Sequence, residues 1–532
     1  MNCYVVTEKE KRTGFNFQTL WDITQKIQHQ CPYDTRLYNP ENPNRTQLTN
    51  AACMDISGDS WTSFPAPEVI ARIALWKLPL FQLVSLYPRP PLCLEVTVFV
   101  ICHLLGDPID TIWSLLYKLC ATQSHATSWE AKIKAGDSKE QFVRDWKALA
   151  LIESSYDECQ KRSYRAGIIL DELENIYAKN RPISDNDYET SIRNSCQKWA
   201  GALAADRSTT FLPVFAAELG FLFTIASAIA KTFADHTKPA FAINGHSLAF
   251  SVLYFWILPV VLLGSIVGVS QSRDATPRIL KQLEEEIERS LLGGTLARTL
   301  AVGNDLYRSN TLKKNPPISS HVKWERIVLG GVHSWQPNKW DRGRGKAEEE
   351  IKKCAFVSTA QSRYLGILAL VCVLDCTVSG IFISWITPPE GIDCRHYTEL
   401  LIFVCWLSSA VLTGIFETQI KPANFRLRFY LTLAKDVLST LATAVGILTA
   451  HIGIFNRCVC WTQWGHVGLT LPYEKFVADI LSLRMGRDWP LTLIFCVLVQ
   501  LAIFSGIWVK FAKAFRVFLQ QDDGSSNIPD WV

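Results

Sequence analysis

Between Phe250 and Val269 the chain runs for twenty residues without a charged side chain. A bilayer core about 30 Å thick is crossed by roughly twenty helical residues at 1.5 Å each. Five further apolar stretches join this one. Together they predict spans over Phe211–Ala230, Ser247–Val269, Tyr364–Ile386, Thr398–Phe416, Phe429–Phe455 and Trp489–Val509. The expected fold class is all-α: a polytopic transmembrane helical bundle of six spans, with a seventh if residues 67–121 cross, plus cytoplasmic helical segments.

Averaged composition hides this pattern. Hydrophobic residues make up 48% of the 532, an ordinary share, but the charges gather in 130–200 and 271–353. Eighteen Trp and 27 Phe suit helices with aromatic belts at the headgroup level. A net charge of +4 with no basic tail excludes nucleic acid as the expected partner and leaves the lipid bilayer. Sixteen Cys are scattered rather than spaced as a disulfide framework. Cys372, Cys376, Cys405 and Cys496 fall inside apolar runs, where a free thiol is a small hydrophobe. Met1–Gln18 carries Glu8, Lys9, Glu10, Lys11 and Arg12 and lacks the apolar core of a cleavable leader.

The remaining segments divide by composition. Residues 1–66 are polar and hold Cys31, Cys53 and the sequon Asn44-Arg45-Thr46. Outside the cytosol they would form a glycosylated, disulfide-closed loop. Residues 67–121 are either a single crossing or a pair of interfacial helices. Val69–Tyr87 carries Arg72, Lys77 and Pro79, Leu92–Leu105 carries Glu95 and His103, and Pro88-Arg-Pro-Pro91 breaks any helix between them. Residues 137–200 read as a cytoplasmic helical region. Ser138 with Gln141 resembles a capping box, followed by Phe142, Trp146, Leu149, Ile152 and Tyr156 at helical spacing.

Basic residues flank the predicted spans unevenly. Residues 271–353, the link 418–428 and the tail 510–532 are the rich segments, and all fall on one side when the helices alternate. That side is the cytosol. The chain therefore divides into spans at 211–269, a basic cytoplasmic segment at 271–353, spans at 364–509 and a cytoplasmic tail.

Ionisable residues at bilayer depth are costly and mark candidate sites. Asp375 lies eleven residues after Tyr364, about 16 Å deep. Glu218, Lys435 and Asp436 share a depth of about 10 Å by the same rise, so a Glu218–Lys435 ion pair is geometrically open to the chain, with Asp375 or Asp436 as a further acceptor. Such a set serves either a proton or cation relay or a buried lock on helix register. His451 reads as interfacial, and Gly264 with Gly268 as a close helix contact.

Cys458-Val-Cys460 with His466 supplies only three metal ligands at narrow spacing, whereas structural zinc takes four. A disulfide is expected instead, with Cys394 as the partner of Cys458 or Cys460. No metal and no cofactor are expected. Asp107 before Pro108, with Asp110 a turn later, reads as a helix start with its cap. Gly343-Arg-Gly-Lys346 is too short for a phosphate loop and reads as a flexible basic turn.

Several stretches carry a resemblance: Trp61-Thr-Ser-Phe-Pro65, Gly106-Asp-Pro-Ile-Asp-Thr-Ile112, Arg144-Asp-Trp-Lys-Ala-Leu149, His246-Ser-Leu-Ala-Phe-Ser-Val-Leu-Tyr-Phe-Trp256, Ile266-Val-Gly-Val-Ser-Gln271 and Pro277-Arg-Ile-Leu280. The chain resembles a group of uncharacterised multi-pass membrane proteins of filamentous fungi, over much of residues 20–340. The resemblance implies a membrane setting and a fungal origin, and no mechanism.

The expected role is non-enzymatic, that of a membrane scaffold, receptor-like or accessory protein, with a cytoplasmic protein partner at 271–353. Alternatives are a proton- or cation-coupled transporter using Glu218, Asp375, Lys435 and Asp436, and a membrane-embedded enzyme of a fungal secondary-metabolite pathway. Plasma membrane and endomembrane are not distinguished.

Overall fold

A computed structural model describes residues 45–48, 66–89, 94–133, 139–158, 164–177, 187–207, 211–234, 241–268, 275–292, 357–387, 392, 394–419, 425–454, 469–472 and 475–519. They are helical apart from one short antiparallel pair, Arg45–Leu48 with Leu469–Pro472. Asn44, Cys31, Cys53, Ser138, Cys458, Cys460 and His466 lie outside the described residues, and Cys394 is described only as backbone. Among the described residues no cysteine pair is bonded: Cys102, Cys120, Cys196, Cys372, Cys376, Cys405 and Cys496 are free thiols.

The ambiguous stretch 67–121 resolves into four helices. α1 (Ala66–Trp76) and α2 (Leu78–Leu86) meet at Lys77, with a proline in the first turn of α2, where its missing N–H costs nothing. The proline cluster separates them from α3 (Leu94–Gly106). α4 (Pro108–Lys132) then leaves at 107° to α3. Asp107 caps it, its Oδ1 accepting the Asp110 N–H at 3.2 Å, as its place before Pro108 predicts.

The helical region expected over 137–200 is α5 (Lys139–Glu158), α6 (Tyr164–Tyr177) and α7 (Asp187–Asp206). On α5 the predicted stripe is the buried one: Trp146, Leu149, Ile152 and Tyr156 all face inward. α8 (Phe211–Ala234) follows. Its apolar part, Leu212–Ser227, is shorter than the other candidate spans, which departs from the sequence expectation of a full span there.

The charge-free stretch breaks in two, α9 (Phe241–Val252) and α10 (Ile257–Val267). Between them Tyr254 and Phe255 donate to the carbonyls three residues back, a tighter winding than α. This segment faces almost entirely inward. Of its most apolar window 94% is covered by the rest of the protein. Gly264 lets α10 approach the end of α2, since a Cβ there would stand 3.0 Å from the Tyr87 ring. The expected close helix contact is therefore real, and Gly268, at φ 62°, ends the helix.

The other long apolar helices are α12 (Thr359–Trp385), α13 (Cys394–Gln419), α14 (Phe425–Ile452) and α15 (Lys475–Lys510). Ser358 and Gln361 start α12 with a reciprocal capping box. α12 reverses the soluble pattern: Ile367, Val371, Leu374, Val378, Phe382 and Trp385 recur every three or four residues on its outer face. Its inner face carries Ala369, Cys372, Val373 and Cys376. An apolar stripe pointing outward is unfavourable in water and suits hydrocarbon. Among the described residues, five helical segments, Ser247–Val267 included, are long and apolar enough to cross a membrane, six if the bent α3–α4 pair counts as one span.

α11 (Ala275–Leu292) belongs to the polar layer rather than to a free surface. Its apolar stripe, Ile279, Leu283 and Ile287, is buried, and it packs chiefly on α7. Its apolar face is thus packed within the protein, and residues 293–353, the rest of the segment expected to meet a partner, lie outside the described residues. Glu286 fastens the contact by accepting from Ser195 at 2.8 Å, Trp199 at 2.6 Å and Lys198 at 3.2 Å.

Partial burial opposes the charge on Glu286, but those three donors outweigh it and hold the carboxyl below its usual 4.5. A lowered folded-state value means stability present above pH 4.5 and lost as acid protonates the group. Glu286→Gln should therefore flatten the acid limb of a pH–stability curve below pH 4.5 and lower stability modestly at neutral pH, the two proteins converging as acid protonates the parent carboxyl. Thermal unfolding in detergent across that range checks this; an unaltered acid limb would count against it.

The last helix, α16 (Ala512–Phe518), packs on α4 and α5. Lys513 pairs with Glu130, and Arg207 lies over the Phe518 ring. The segments expected in the cytosol, α5–α7, α11 and the tail, thus contact one another.

Candidate functional site

Where α3 turns into α4, five ionisable side chains meet inside the protein: His103, Asp107, Asp110, Lys435 and Asp436. The turn forms because Asp107-Pro108 starts a new helix, and Gly106 lets the end of α3 touch α14. A Cβ at Gly106 would stand 2.5 Å from the Asp436 carbonyl oxygen and 2.9 Å from Thr440 Oγ1.

Ending a helix inside the protein strands its last carbonyls, which need donors from elsewhere. Neighbouring helices supply them. Ser439 Oγ donates to the Gly106 carbonyl at 2.8 Å, Thr440 Oγ1 to Cys102 at 3.0 Å and Trp406 Nε1 to Leu105 at 3.0 Å. The elbow is thus held by α13 and α14.

Lys435 Nζ donates to Asp107 Oδ2 at 2.7 Å, to Ser409 Oγ at 2.8 Å and to Asp436. Thr413 Oγ1 donates to the same Asp107 oxygen at 2.7 Å. His103 lies between two carboxylates, its Nδ1 2.8 Å from Asp436 Oδ2 and its Nε2 3.3 Å from Asp110 Oδ2. A neutral imidazole can donate from only one nitrogen, so an imidazolium suits both contacts. The helix dipoles agree with this arrangement: Lys435 approaches the C-terminal end of α3, and Asp107 sits at the N-terminus of α4.

Three carboxylates against two cations leave one negative charge when all are ionised. The side chains of His103, Asp107 and Asp436 are 0% exposed. Breaking such a network is costly, whereas its formation contributes little net stability. The arrangement can therefore hold a register firmly, and it can exchange a proton at His103.

Sequence reasoning named Lys435 and Asp436 but gave them the wrong partner. Glu218 does not reach Lys435; it is buried on α8, and its Oε1 has no hydrogen-bond partner among the described residues. α8 packs on α2 and α10 instead of α14, which explains the failure, because equal depth does not fix which helices are neighbours. Asp375 is also elsewhere, between α12 and α15, where Gln500 Nε2 donates to its Oδ2 at 2.9 Å. The four predicted polar residues thus occupy three separate places and form no single path.

Asp107 was missed as Lys435's partner and His103 as Asp436's. The available signal was a histidine inside an apolar run followed four residues later by an aspartate. Glu399 was missed as well: it is buried on α13 and accepts from Ser384 of α12. His451 is buried among the helices, its Nδ1 2.8 Å from the Ile447 carbonyl.

From the elbow α4 runs 25 residues, about 37 Å, into the polar layer. Lys118 Nζ donates to the Ser154 carbonyl at 3.0 Å, and Trp129 Nε1 to Glu153 at 2.8 Å. An open cleft of about 410 Å³ flanks it, lined by Cys120, Gln123, Thr127, Gln361 and Lys510 among others. Cys120 lies about 20 Å along α4 from Asp107, so the cleft does not reach the ionic cluster. No family model, curated protein or solved structure matches this chain.

Proposed function

We propose that the chain is a multi-pass membrane protein with a non-enzymatic, receptor-like role, in which the ionic cluster sets the position of α4 and α4 relays it to the polar layer. One observation carries this reading. A single helix starts at the buried cluster, capped by Asp107, and continues without interruption to hydrogen bonds with α5 at Ser154 and Glu153. A change of charge at His103 alters its two carboxylate contacts, one of them to Asp110 in the first turn of α4. The outward apolar stripe of α12 supports the membrane setting.

Hydrogen exchange on the purified protein tests the relay. Asp436→Asn removes one acceptor of His103 and Lys435, and it should speed amide exchange several-fold at the start of α4 and also in α5. Faster exchange confined to α3, α14 and the elbow would defeat the proposal.

A second reading, a proton- or cation-coupled transporter, draws on His103, Asp107 and Asp436, whose ligating atoms all lie within 4.8 Å of one another. Proteoliposomes separate the two: a pH-driven flux abolished by Asp436→Asn favours transport, and none favours the relay. A membrane-embedded enzyme would need Asp375 and Glu218 to converge, and they lie on helices with different neighbours.

A further inference from the structure

A second polar cluster lies between α12 and α15, and neither reading above uses it. Cys376 Sγ, Cys496 Sγ and a carboxylate oxygen of Asp375 all lie within 4.8 Å of one another. The spacing builds it: Cys372 and Cys376 are four residues apart on α12, and Cys496 and Gln500 four apart on α15, so each pair shares one helix face. Both thiols are buried, Cys376 and Cys496 at 0% exposure.

Separation of the donors fits a metal. Around tetrahedral zinc, bonds of about 2.3 Å to sulfur and about 2.1 Å to oxygen place the two ligand atoms about 3.6 Å apart. Cys496 Sγ stands 3.5 Å from Asp375 Oδ2.

Gln500 supplies an independent sign. Its Nε2 donates to Asp375 Oδ2 at 2.9 Å, to the Cys372 carbonyl at 3.0 Å and to Cys376 Sγ at 3.4 Å. Its Oε1 is buried and has no hydrogen-bond partner among the described residues, on a residue 4% exposed. An amide satisfied at one end only, in a dry interior, is a costly arrangement. Half a turn about the last side-chain bond exchanges nitrogen for oxygen and presents the carbonyl to a cation.

The elbow offers a contrast. There His103, Asp107 and Asp436 also lie close together, but the Lys435 ammonium already bridges Asp107 and Asp436. No side-chain cation fills the corresponding role in the contacts described for Asp375, whose partners are Gln500 and Cys496.

We propose that Asp375, Cys376 and Cys496 bind one thiophilic divalent transition-metal ion, zinc being the reference, with the Gln500 carbonyl as fourth ligand. Both thiols give up their protons on binding, and the two thiolates with the Asp375 carboxylate leave the filled site one negative charge. A pair of thiolates with hard oxygen ligands selects zinc-like ions over magnesium or calcium.

The full chain, purified in detergent and stripped with a chelator, should bind a single equivalent of Co²⁺ with thiolate-to-cobalt charge-transfer absorption, and Zn²⁺ should displace it. The Cys376→Ser/Cys496→Ser double variant should lose that absorption and bind zinc on the order of 100-fold more weakly, while Cys405→Ser behaves as the parent. Absence of the absorption in the parent, or its persistence in the double variant, overturns the proposal. If the double variant does not fold, Asp375→Asn serves in its place: zinc binding weakened on the order of 10-fold supports the site, and unchanged affinity overturns it.

Discussion

Replacing Lys435 with Ala should destabilise the protein by about 3–5 kcal/mol, more than any other single change at the elbow. The ammonium is the cation shared by Asp107 and Asp436, and its side chain is 5% exposed. Without it two carboxylates face each other across a dry contact, and Ser409 loses its partner. The loss should appear as a large fall in the thermal midpoint in detergent and in the yield of monodisperse protein. Neutralising an acid in the same background should recover part of it, because the cost lies in the uncompensated charge. Lys435→Ala with Asp107→Asn is therefore expected to be more stable than Lys435→Ala alone. Equal stability of the two would mean that the ion pair is not what holds α4 to α14.

Gly106→Ala should cost about 3 kcal/mol, the upper part of the usual range for overpacking. The added methyl would meet a backbone oxygen, Asp436 O, at 2.5 Å, and a backbone cannot swing aside as a side chain can. α3 and α14 must separate, which stretches the Ser439–Gly106 and Thr440–Cys102 hydrogen bonds at the same time. Gly220→Ala is the matched control, since nothing lies within 4 Å of its added methyl. It should be neutral or slightly stabilising, because alanine is the better helix former. Similar behaviour of the two variants in thermal unfolding would show that the close approach at the elbow is not needed.

The helices were legible where one local rule decides them. Apolar length found α12 to α15, the proline cluster separated α2 from α3, and Asp107-Pro108 marked the start of α4. What sequence could not give was adjacency. Depth along a helix follows from counting residues, so Glu218 and Lys435 looked like partners. Which faces meet depends on packing across helices hundreds of residues apart, and Asp107 reaches Lys435 over 328 positions. The cap at Asp107 was legible for a related reason: its acceptor role is local, to Asp110 N, while its bond to Lys435 is not. The thiol cluster was hidden by the same limit, because each cysteine alone is an unremarkable apolar residue.

Burial of the segment Ser247–Val267 within the protein has a consequence for biosynthesis. It leaves the ribosome well before α12 and α14, which supply part of its wrapping. During that interval the nascent chain presents its most apolar stretch to lipid or to a chaperone, and it exchanges that company for protein only when the C-terminal helices arrive. Truncations ending before residue 359 would therefore leave that core partly unsheathed.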